Sequence, residues 1–400
     1  MVHLPVGFRF AGVSAGIKTK PNTKDVVLIV SDEPCVAAGV YTTNQIVAAP
    51  VVLSRSRTPS SSFRGIVVNS GNANACTGEQ GFRDAVRMTE LAASEVNGSN
   101  VSSDQFLVMS TGVIGRFLPM EKVEKGIRLA ASELQSTEQG FLNACDGILT
   151  TDIGRKVSER SFSLNGRDTH IVGMCKGAGM IGPKMATMLA ILITDAPLSE
   201  SQAQRILQSA ANKSFNCISV EGHMSTNDSL VLLAAKPTSE LPALDAKSEE
   251  LFVEHLTSLA IELAKKIPDD GEGATHLVEI SISGANDDHD ADAIARSIAL
   301  SNLVKTAITG GDPNWGRIVS AAGYAGVPIR PEYTCLSIND LPLFKNGEPL
   351  PFDAAAVSQS IKGQKLTRID LQVGMGPGVA MHWTTDLNTE YVRFNSEYTT

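Results

Sequence analysis

The sequence predicts a mixed α/β (α+β) protein, and three of its features support that class. Short apolar runs typical of buried strands alternate with amphipathic stretches typical of helices. No internal repeat or low-complexity tract interrupts the alternation. The chain has 400 residues, 42% hydrophobic and 19% charged, which is long enough to bury a large core in two or three domains.

The strand predictions rest on apolar, β-branched runs bounded by glycine, proline or polar residues. The predicted strands are Val26–Val30, Gly65–Asn69, Phe106–Met109, Ile171–Met174, Met188–Ile193, Leu230–Ala234, Leu277–Ser283 and Leu366–Val373.

The helix predictions rest on end signals. Pro119 precedes the amphipathic stretch Met120–Leu134, and Ser199 with Gln202 forms a capping-box pattern. Two further amphipathic stretches are predicted as helices at 82–97 and 248–267. The segment 236–250 is rich in proline, serine and charge, and it is predicted as a linker.

Composition excludes several classes of function. The formal net charge is -9 and no Lys/Arg block is present, which argues against a nucleic-acid partner. The longest apolar run, Met185–Ile193, is about half of the roughly 18 residues that a membrane span needs. Residues 1–20 lack a signal-peptide core, so the cytoplasm is the expected compartment. The sequence predicts neither a nucleic-acid nor a membrane partner.

The cysteines and histidines do not suggest a metal site. The six cysteines include no Cys-x-x-Cys pair, so we expect reduced, mostly buried thiols rather than a zinc knuckle or a disulfide framework. The seven histidines are far apart in sequence and form no cluster with metal-ligand spacing.

Glycine and small polar residues concentrate in four segments without periodicity, and we predict these segments as loops that carry the functional site. They are 69–78, 110–115, 176–187 and 310–316. The third segment has a G-x-G-x-x-G spacing at Gly177, Gly179 and Gly182. A dinucleotide-binding turn would need a helix to start within these glycines. Pro183 and a strand-like run follow instead, so a nucleotide site is disfavoured.

The alternative interpretation is a self-cleaving chain. Ala186 is small, and Thr187 opens the apolar run. Cleavage between them would free the α-amine of Thr187, which has a reference pKa of about 7.7 to 8.0 and could act as the base for its own hydroxyl. From composition alone, however, a threonine at the start of a buried strand is usually an ordinary strand residue.

Residues 176–196, KGAGMIGPKMATMLAILITDA, resemble the self-processing segment of the ornithine acetyltransferase family, the glutamate N-acetyltransferases of arginine biosynthesis. Further segments are similar to this family, in family order. They are VNSGNANACTG (68–78), STGVIG (110–115), TTD (150–152), GEGAT (271–275), GGDPNWGRI (310–318) and YVRFNSEYT (391–399).

The resemblance implies a fold, a reaction and an assembly. The fold would be an αββα-type sandwich that resembles but is distinct from the N-terminal nucleophile hydrolases, with a smaller C-terminal α/β domain. The implied division is a core at 1–198, a middle region at 199–280 and a C-terminal domain at 281–400. Cleavage would give fragments 1–186 and 187–400, and two of each would associate.

The implied reaction is acetyl transfer from N2-acetyl-L-ornithine to L-glutamate through an acetyl-threonine intermediate. It needs no cofactor, although the family's bifunctional members also use acetyl-CoA as a donor. The sequence does not separate bifunctional from monofunctional members. Two other classes stay open: a related self-processed amidase or aminopeptidase with water as acceptor, and an unprocessed binding protein.

Roles transfer by resemblance onto individual residues. Thr187 would be the nucleophile, and the Thr111 hydroxyl and Gly112 amide would stabilise the oxyanion. The implied substrate-binding residues are Thr150, Lys176, Thr187, Glu272, Asn395 and Thr400. Of these, Lys176 would bind a substrate carboxylate and Glu272 the ornithine ammonium.

Some segments depart from the family pattern. Gly182 and Lys184 replace the usual histidine and asparagine around Pro183, and Ala178 stands where serine is common. The usual acidic-glycine-acidic-threonine pattern reads Glu221-Gly222-His223-Met224. These changes bear on processing rate and acceptor choice. In the GGDPNWGRI segment, Asp312, Asn314, Trp315 and Arg317 are predicted to fix a tight turn and a buried ion pair.

Overall fold

The computed structural model describes residues 2–97, 101–182 and 188–397. The predicted cleavage residues Ala186 and Thr187, together with Lys184 and the terminal Thr400, lie outside the described residues.

Strands and helices follow one another in the mixed order that the sequence predicts. The strands are β1 Phe8–Val13, β2 Val26–Tyr41, β3 Ser60–Asn72, β4 Phe106–Val113, β5 Lys156–Leu164, β6 Arg167–Lys176, β7 Leu189–Pro197, β8 Ser229–Ala235, β9 Leu277–Ala285, β10 Cys335–Ile338, β11 Leu341–Lys345, β12 Glu348–Pro349, β13 Leu366–Gln372 and β14 Gly378–Thr385. The helices are α1 Ala49–Arg57, α2 Gly78–Asn97, α3 Met120–Ser132, α4 Glu138–Ile148, α5 Glu200–Asn212, α6 Ala246–Asp269, α7 Asp288–Ala299, α8 Asn302–Gly310, α9 Trp315–Gly323, α10 Ala354–Lys362 and α11 Thr389–Glu397.

The long strand β2 organises the larger sheet. The strand order is β4-β3-β2-β8-β7-β6-β5, with β1 also paired to β2. The first part of β2, Val26–Val30, pairs with β1 and β3, and its last part, from Val36, pairs with β8. Two further pairs with β3, at Cys35 and Ala37, link the two parts. The register with β3 shifts between Val30 and Cys35. Such an irregularity bends a strand, so β2 belongs to two layers of strands.

Alternation along the strands gives each layer an inner and an outer face. The inner faces meet in one buried cluster in which Ile29 and Ile66 of the first layer join Val172 and Ile191 of the second. The outer face of the first layer, with Leu28 and Val108, lies in a cluster with residues of α2 and α3.

The outer face of the second layer is covered by another pair of helices. Leu192 and Leu232 share a buried cluster with Leu207 of α5 and Leu259 of α6. Helices therefore cover both outer faces of two packed layers of strands. The predicted αββα sandwich is confirmed.

Helix α4 extends this core at β1. Phe141 and Ala144 of α4 belong to the cluster between the two layers. A side chain at Gly12 of β1 would place its Cβ 1.9 Å from the carbonyl oxygen of Asn143. The absence of a side chain at this position is what lets α4 approach β1 so closely.

A second sheet of six strands forms the smaller C-terminal α/β unit, with the order β12-β11-β10-β13-β9-β14. Its core joins strand residues such as Ile280 and Ile369 to Ile294, Ile308 and Ile318 from α7, α8 and α9. The three-part division at 1–198, 199–280 and 281–400 stays a prediction.

The predicted runs all coincide with strands, but the ends and the loops differ. Two predicted loops are partly wrong, because β3 and β4 remain paired in parallel as far as Asn72 and Val113. Strand β1 was not predicted, since FRFAGV is short and ends near a glycine. The strands β5, β10, β11, β12 and β14 and the helices α1, α4 and α7–α11 were not predicted either. Helix α6 begins at Ala246, inside the predicted linker, where the Asp245 side chain caps it by accepting from the Ser248 amide.

All six cysteines are described and are free thiols, as predicted. Only three of them are fully buried, however, and Cys76 is exposed, so the expectation of mostly buried thiols is wrong. Among the helices of the described residues, none has the length and hydropathy needed to cross a membrane.

Candidate active site

One pocket of about 200 Å³ brings together residues from distant parts of the chain. It lies where β4 and β6 end, beside the loop after α6 and the last helix, α11. Its lining residues are Ala73, Thr111, Gly112, Ile114, Thr150, Thr151, Lys176, Gly179, Met180, Glu221, His223, Ser225, Thr226, Asn227, Glu272, Tyr391 and Asn395.

Thr111 and Gly112 lie near the end of β4, against β3. Thr111 is buried, and its Oγ1 is 3.4 Å from Lys176 Nζ, which donates to it. The hydroxyl proton of Thr111 is therefore available for another acceptor. Gly112 has φ +132, and a Cβ there would lie 2.3 Å from the backbone carbon of Gly71. The backbone that presents this amide thus requires glycine.

Lys176 is the last residue of β6 and is 2% exposed. Burial lowers the pKa of its ammonium, and the charge of Asp152 opposes that shift. A buried ammonium that donates to a weak hydroxyl acceptor retains donors for an anionic ligand. The arrangement suits a substrate carboxylate or a developing oxyanion.

Asp152 balances the positive charge beside the pocket. Its Oδ1 accepts from Lys156 Nζ at 2.6 Å and from the Gly177 amide at 2.7 Å, and its Oδ2 accepts from the Thr150 amide at 3.0 Å. Burial alone would raise the pKa of this carboxyl, but Lys176 and Lys156 hold it at about 2. Lys156 also pairs with Asp270 at 2.5 Å. The Asp152 carboxylate therefore positions Thr150 and Gly177, and together with Asp270 it balances the charges of two buried lysines.

Glu272 lies in the loop after α6 and faces the pocket. Its Oε2 accepts from Asn395 Nδ2 at 3.0 Å, and its amide donates to the Ala178 carbonyl at 2.9 Å. A Cβ at Gly179 would lie 2.3 Å from the Glu272 carboxyl carbon. Because residue 179 has no side chain, the Glu272 carboxyl can pack against it in the wall of the pocket.

The loop that carries Glu272 is held at its other end by Asp386. The Asp386 carboxylate accepts from the amides of Thr275 and His276 at 2.8 and 2.9 Å, and from the Thr275 hydroxyl at 2.6 Å. Burial opposes ionisation of Asp386, but the bonds from His276 and Thr275 hold its pKa well below the usual range. The contact with Asp386 raises the pKa of His276.

The strand that follows the predicted cleavage site starts at this pocket. Leu189 of β7 pairs directly with Lys176 of β6. The Met188 amide donates to Asp228 Oδ1 at 2.7 Å, while Asp228 Oδ2 is buried without a hydrogen-bond partner among the described residues. Burial raises the pKa of Asp228 well above its usual value. Because β7 begins here, a dinucleotide-binding turn, which needs a helix, is ruled out.

The structure brings together every predicted site residue that it describes. Thr111, Gly112, Thr150, Lys176, Glu272 and Asn395 all line the pocket. The nucleophile and cleavage residues Thr187 and Ala186, and the substrate-binding residue Thr400, lie outside the described residues. The roles assigned to all of these residues stay predictions.

Sequence reasoning assigned no role to three acidic residues at the site, Asp152, Glu221 and Asp228. Asp152 and Glu221 stood inside quoted segments, but no local pattern marked any of the three as buried. An acidic residue directly before an apolar strand, as Asp228 is before β8, was the available signal.

The GGDPNWGRI segment forms the predicted tight turn. Asn314 caps α9 by accepting from the Arg317 amide, and its Nδ2 donates to Asp312 at 3.0 Å. The predicted buried ion pair is wrong. Within the described part of the chain Arg317 forms no ion pair, and its guanidinium donates to the Leu303 carbonyl at 3.0 Å.

One group of described residues has metal-ligand proximity, Asp287, His289 and Asp290 at the start of α7. Asp287 Oδ1 accepts from the Asp290 amide, which is a helix-capping contact. Asp287 and His289 are exposed and none of the three lines the pocket, so the cap explains the cluster without a metal.

Comparison with known proteins agrees with the ordered motifs. A model of the ArgJ family matches residues 9–400. The arginine biosynthesis bifunctional protein ArgJ of Rhodopirellula baltica is 52% identical over 399 residues, covering 99% of this chain and 96% of the relative. ArgJ 1 of a Nostoc species, with the same description, is 44% identical over 410 residues, covering 100% and 98%.

Among solved structures, the arginine biosynthesis bifunctional protein argJ from Bacillus halodurans is 36% identical with a TM-score of 0.50, covering 52% of this chain and 98% of that chain. The family match spans every motif segment quoted above and confirms the resemblance drawn from them. This chain belongs to the ArgJ family.

Proposed function

We propose that this protein transfers an acetyl group from N2-acetyl-L-ornithine to L-glutamate through an acetyl ester on Thr187. The observation that carries the proposal is the single pocket in which an oxyanion donor pair, a buried ammonium and a carboxylate meet. The strand that begins just after Thr187 starts beside that pocket. The protein is an acyltransferase of arginine biosynthesis.

The nucleophile arises by self-cleavage. The Thr187 hydroxyl attacks the Ala186 carbonyl, the acyl group moves from nitrogen to oxygen, and water hydrolyses the resulting ester. Fragments 1–186 and 187–400 result, and the new α-amine of Thr187 becomes the base for its hydroxyl. The Bacillus halodurans chain, matched over 98% of its length by 52% of this one, has about half this length, as such a fragment would.

The acetyl group then moves in two steps. Thr187 Oγ attacks the acetyl carbonyl of N2-acetylornithine while its proton passes to the α-amine of Thr187, and that proton then goes to the departing ornithine amine. In the second step the deprotonated α-amine of glutamate attacks the acetyl ester, and Thr187 recovers its proton. Thr111 and Gly112 donate to the oxyanion of each tetrahedral intermediate, and Lys176 lies within 3.4 Å of the Thr111 hydroxyl.

Substrate recognition follows from charge. Both substrates have an α-carboxylate, which Lys176 binds with a charge-assisted contact. Thr150, Asn395 and Thr400 complete the contact set, and Glu272 binds the ornithine ammonium. Family membership favours acetyl transfer over the amidase and binding-protein alternatives.

Several finer points belong to the same proposal. The reaction needs no cofactor, and acetyl-CoA serves as a second acetyl donor, in keeping with the word bifunctional in the names of both relatives. Two copies of each fragment assemble, in the cytoplasm.

Intact-mass measurement of the purified protein tests the nucleophile directly. The wild type and a control variant at an exposed threonine of α8, Thr306→Ala, should each give two fragments and transfer acetyl from N2-acetylornithine to glutamate. Thr187→Ala should remain one polypeptide and transfer no acetyl group. A wild-type chain that stays uncut, or a Thr187→Ala chain that cleaves, would contradict the assignment. Acetylation of glutamate from acetyl-CoA without N2-acetylornithine tests the second donor.

A further inference from the structure

The side chain of Glu221 occupies an unusual position in the pocket wall. Its segment is fixed to the chain before the cleavage site, because the amides of Val220 and Gly222 both donate to the Ile181 carbonyl at 2.9 Å. A Cβ at Gly182 would lie 2.6 Å from the Gly222 carbonyl oxygen, so the two backbones are in close contact. On the far side, Lys305 Nζ donates to the Val220 carbonyl. Glu221 is therefore held on a rigid support.

Neither carboxyl oxygen of Glu221 has a hydrogen-bond partner among the described residues, although both oxygens are buried. The nearby cation Lys305 donates to Val220 and to the hydroxyls of Thr384 and Thr385, not to Glu221. A buried carboxylate without partners is costly. The Glu221 carboxyl therefore needs either a ligand that donates hydrogen bonds to it or a proton that removes its charge.

The groups that face Glu221 fix its electrostatic environment. Burial and then the negative charge of Glu272 raise its pKa to about 7, while Lys305 on α8 opposes the shift. The backbone amides of Glu221 and His223 lie near enough to oppose it weakly, although neither makes a hydrogen bond of normal geometry to the carboxyl. Burial likewise lowers the pKa of Lys305 to about 8. His223, in the same loop, and Tyr391, on α11, complete the surroundings, and burial followed by Glu221 raises the pKa of Tyr391 to about 12. Glu221 can therefore gain or lose a proton near neutral pH.

The proposed reaction places opposite demands on this wall, and the inference rests on that function. One pocket must bind the side-chain ammonium of ornithine and, after ornithine leaves, the γ-carboxylate of glutamate. Two fixed carboxylates, Glu221 and Glu272, would suit the ammonium and repel the γ-carboxylate. A carboxyl that takes up a proton between the two steps removes the repulsion and supplies an O–H donor.

We propose that Glu221 selects the side chain of both substrates: ionised, it binds the ammonium of ornithine, and protonated, it donates to the γ-carboxylate of glutamate. The exchange of substrates is then coupled to one proton taken from solvent when glutamate replaces ornithine and returned when N-acetylglutamate leaves. Glu221 is a binding residue in this scheme and forms no covalent bond.

Two partial exchange reactions separate the half-reactions. Labelled ornithine exchanges into N2-acetylornithine without glutamate, and labelled glutamate exchanges into N-acetylglutamate without ornithine. Both exchanges use the Thr187 amine and an attacking α-amine, so the titration of these groups cancels in the ratio of the two kcat/KM values. In the wild type the ratio of ornithine to glutamate exchange should rise by up to about tenfold per pH unit through neutrality.

Glu221→Gln keeps the size of the side chain, and its NH₂ group replaces the O–H donor of the protonated carboxyl. The variant cannot acquire the negative charge. Ornithine exchange should fall by about 10- to 100-fold, the range expected for loss of a charged hydrogen bond. Glutamate exchange should change by less than about threefold, and the exchange ratio should lose its pH dependence. Glu133→Gln, at an exposed residue next to α3, is the matched control and should behave as the wild type.

The outcomes separate the inference from the proposed function. A wild-type ratio that is flat with pH, or a Glu221→Gln variant that slows both exchanges equally, would overturn the role of Glu221 alone. The wild-type ratio decides the question even if Glu221→Gln fails to fold or to process. Absence of both exchanges in a fully processed wild type would instead overturn the acetyl-transfer proposal.

Discussion

Replacing Asp152 with asparagine should damage both the stability of the protein and the charge of its pocket. The carboxylate accepts from Lys156, from the Gly177 amide and from the Thr150 amide, and it is almost completely buried. The side-chain oxygen of asparagine can still accept from Lys156 and the Gly177 amide. Its side-chain nitrogen, in the place of Oδ2, cannot accept from the Thr150 amide. Lys156 and Lys176 would then share a buried region with less compensating charge.

The magnitude follows from two independent estimates. Removing one partner of a buried ion pair costs about 3–5 kcal/mol, because an uncompensated charge remains. The native pKa of Asp152 is about 2, compared with roughly 3.9 in an unfolded chain, a difference worth about 2–3 kcal/mol at neutral pH. Because the native pKa is the lower one, this contribution is present above about pH 4 and disappears as the pH falls toward 2.

The same substitution should shift the pH dependence of acetyl transfer. Asp152 is the largest influence that opposes the effect of burial on Lys176. Without this opposite charge the pKa of Lys176 should fall further. Since the mechanism uses the charged form of Lys176, activity should decline at a lower pH than in the wild type.

Chemical denaturation at pH 7 and the pH profile of kcat/KM measure the two effects. The matched control is Asp146→Asn, because Asp146 pairs with Arg155 at 2.6 Å on the surface. An exposed pair is worth about 1 kcal/mol or less. Equal losses of stability in the two variants would refute the reasoning. It would also be refuted if kcat/KM of Asp152→Asn declined at the same alkaline pH as that of the wild type.

Three further predictions concern the pocket. Gly112→Ala should reduce kcat by about 100- to 1,000-fold, because a Cβ at φ +132 would collide with the Gly71 backbone and displace an oxyanion donor; a kcat within tenfold of the wild type would contradict this. Gly182→Ala should lower the midpoint of thermal unfolding by an amount equivalent to about 1–3 kcal/mol, because its Cβ would lie 2.6 Å from the Gly222 carbonyl oxygen. An unchanged midpoint would show that the Gly222 backbone moves without cost and would contradict this prediction. Lys176→Met should raise KM for both N2-acetylornithine and glutamate by at least about tenfold in steady-state assays, since both have an α-carboxylate; a change for one substrate alone would argue against a shared carboxylate site.

Local sequence signals determined the type and place of about half of the strands and helices. The apolar runs at 26–30 and 230–234 lie inside β2 and β8, and the capping box at Ser199 opens α5 as predicted. These signals depend on neighbours within a few residues, which the sequence displays directly. The ordered motifs likewise named Thr111, Lys176 and Glu272, which the structure places in one pocket.

The tertiary structure decided what depends on residues distant in sequence. The polar stretch Ser31-Asp32-Glu33-Pro34 marks an interruption of β2, but only the pairing partners on either side of it show that the strand continues and joins two layers. Burial raises the pKa of Glu221 and Asp228, whereas the buried Lys176 and Lys156 lower that of Asp152 against the effect of burial, and both effects depend on packing between elements. Short-range pattern therefore sufficed for these strands and for the cap of α5, whereas the electrostatics of the pocket depend on the folded chain.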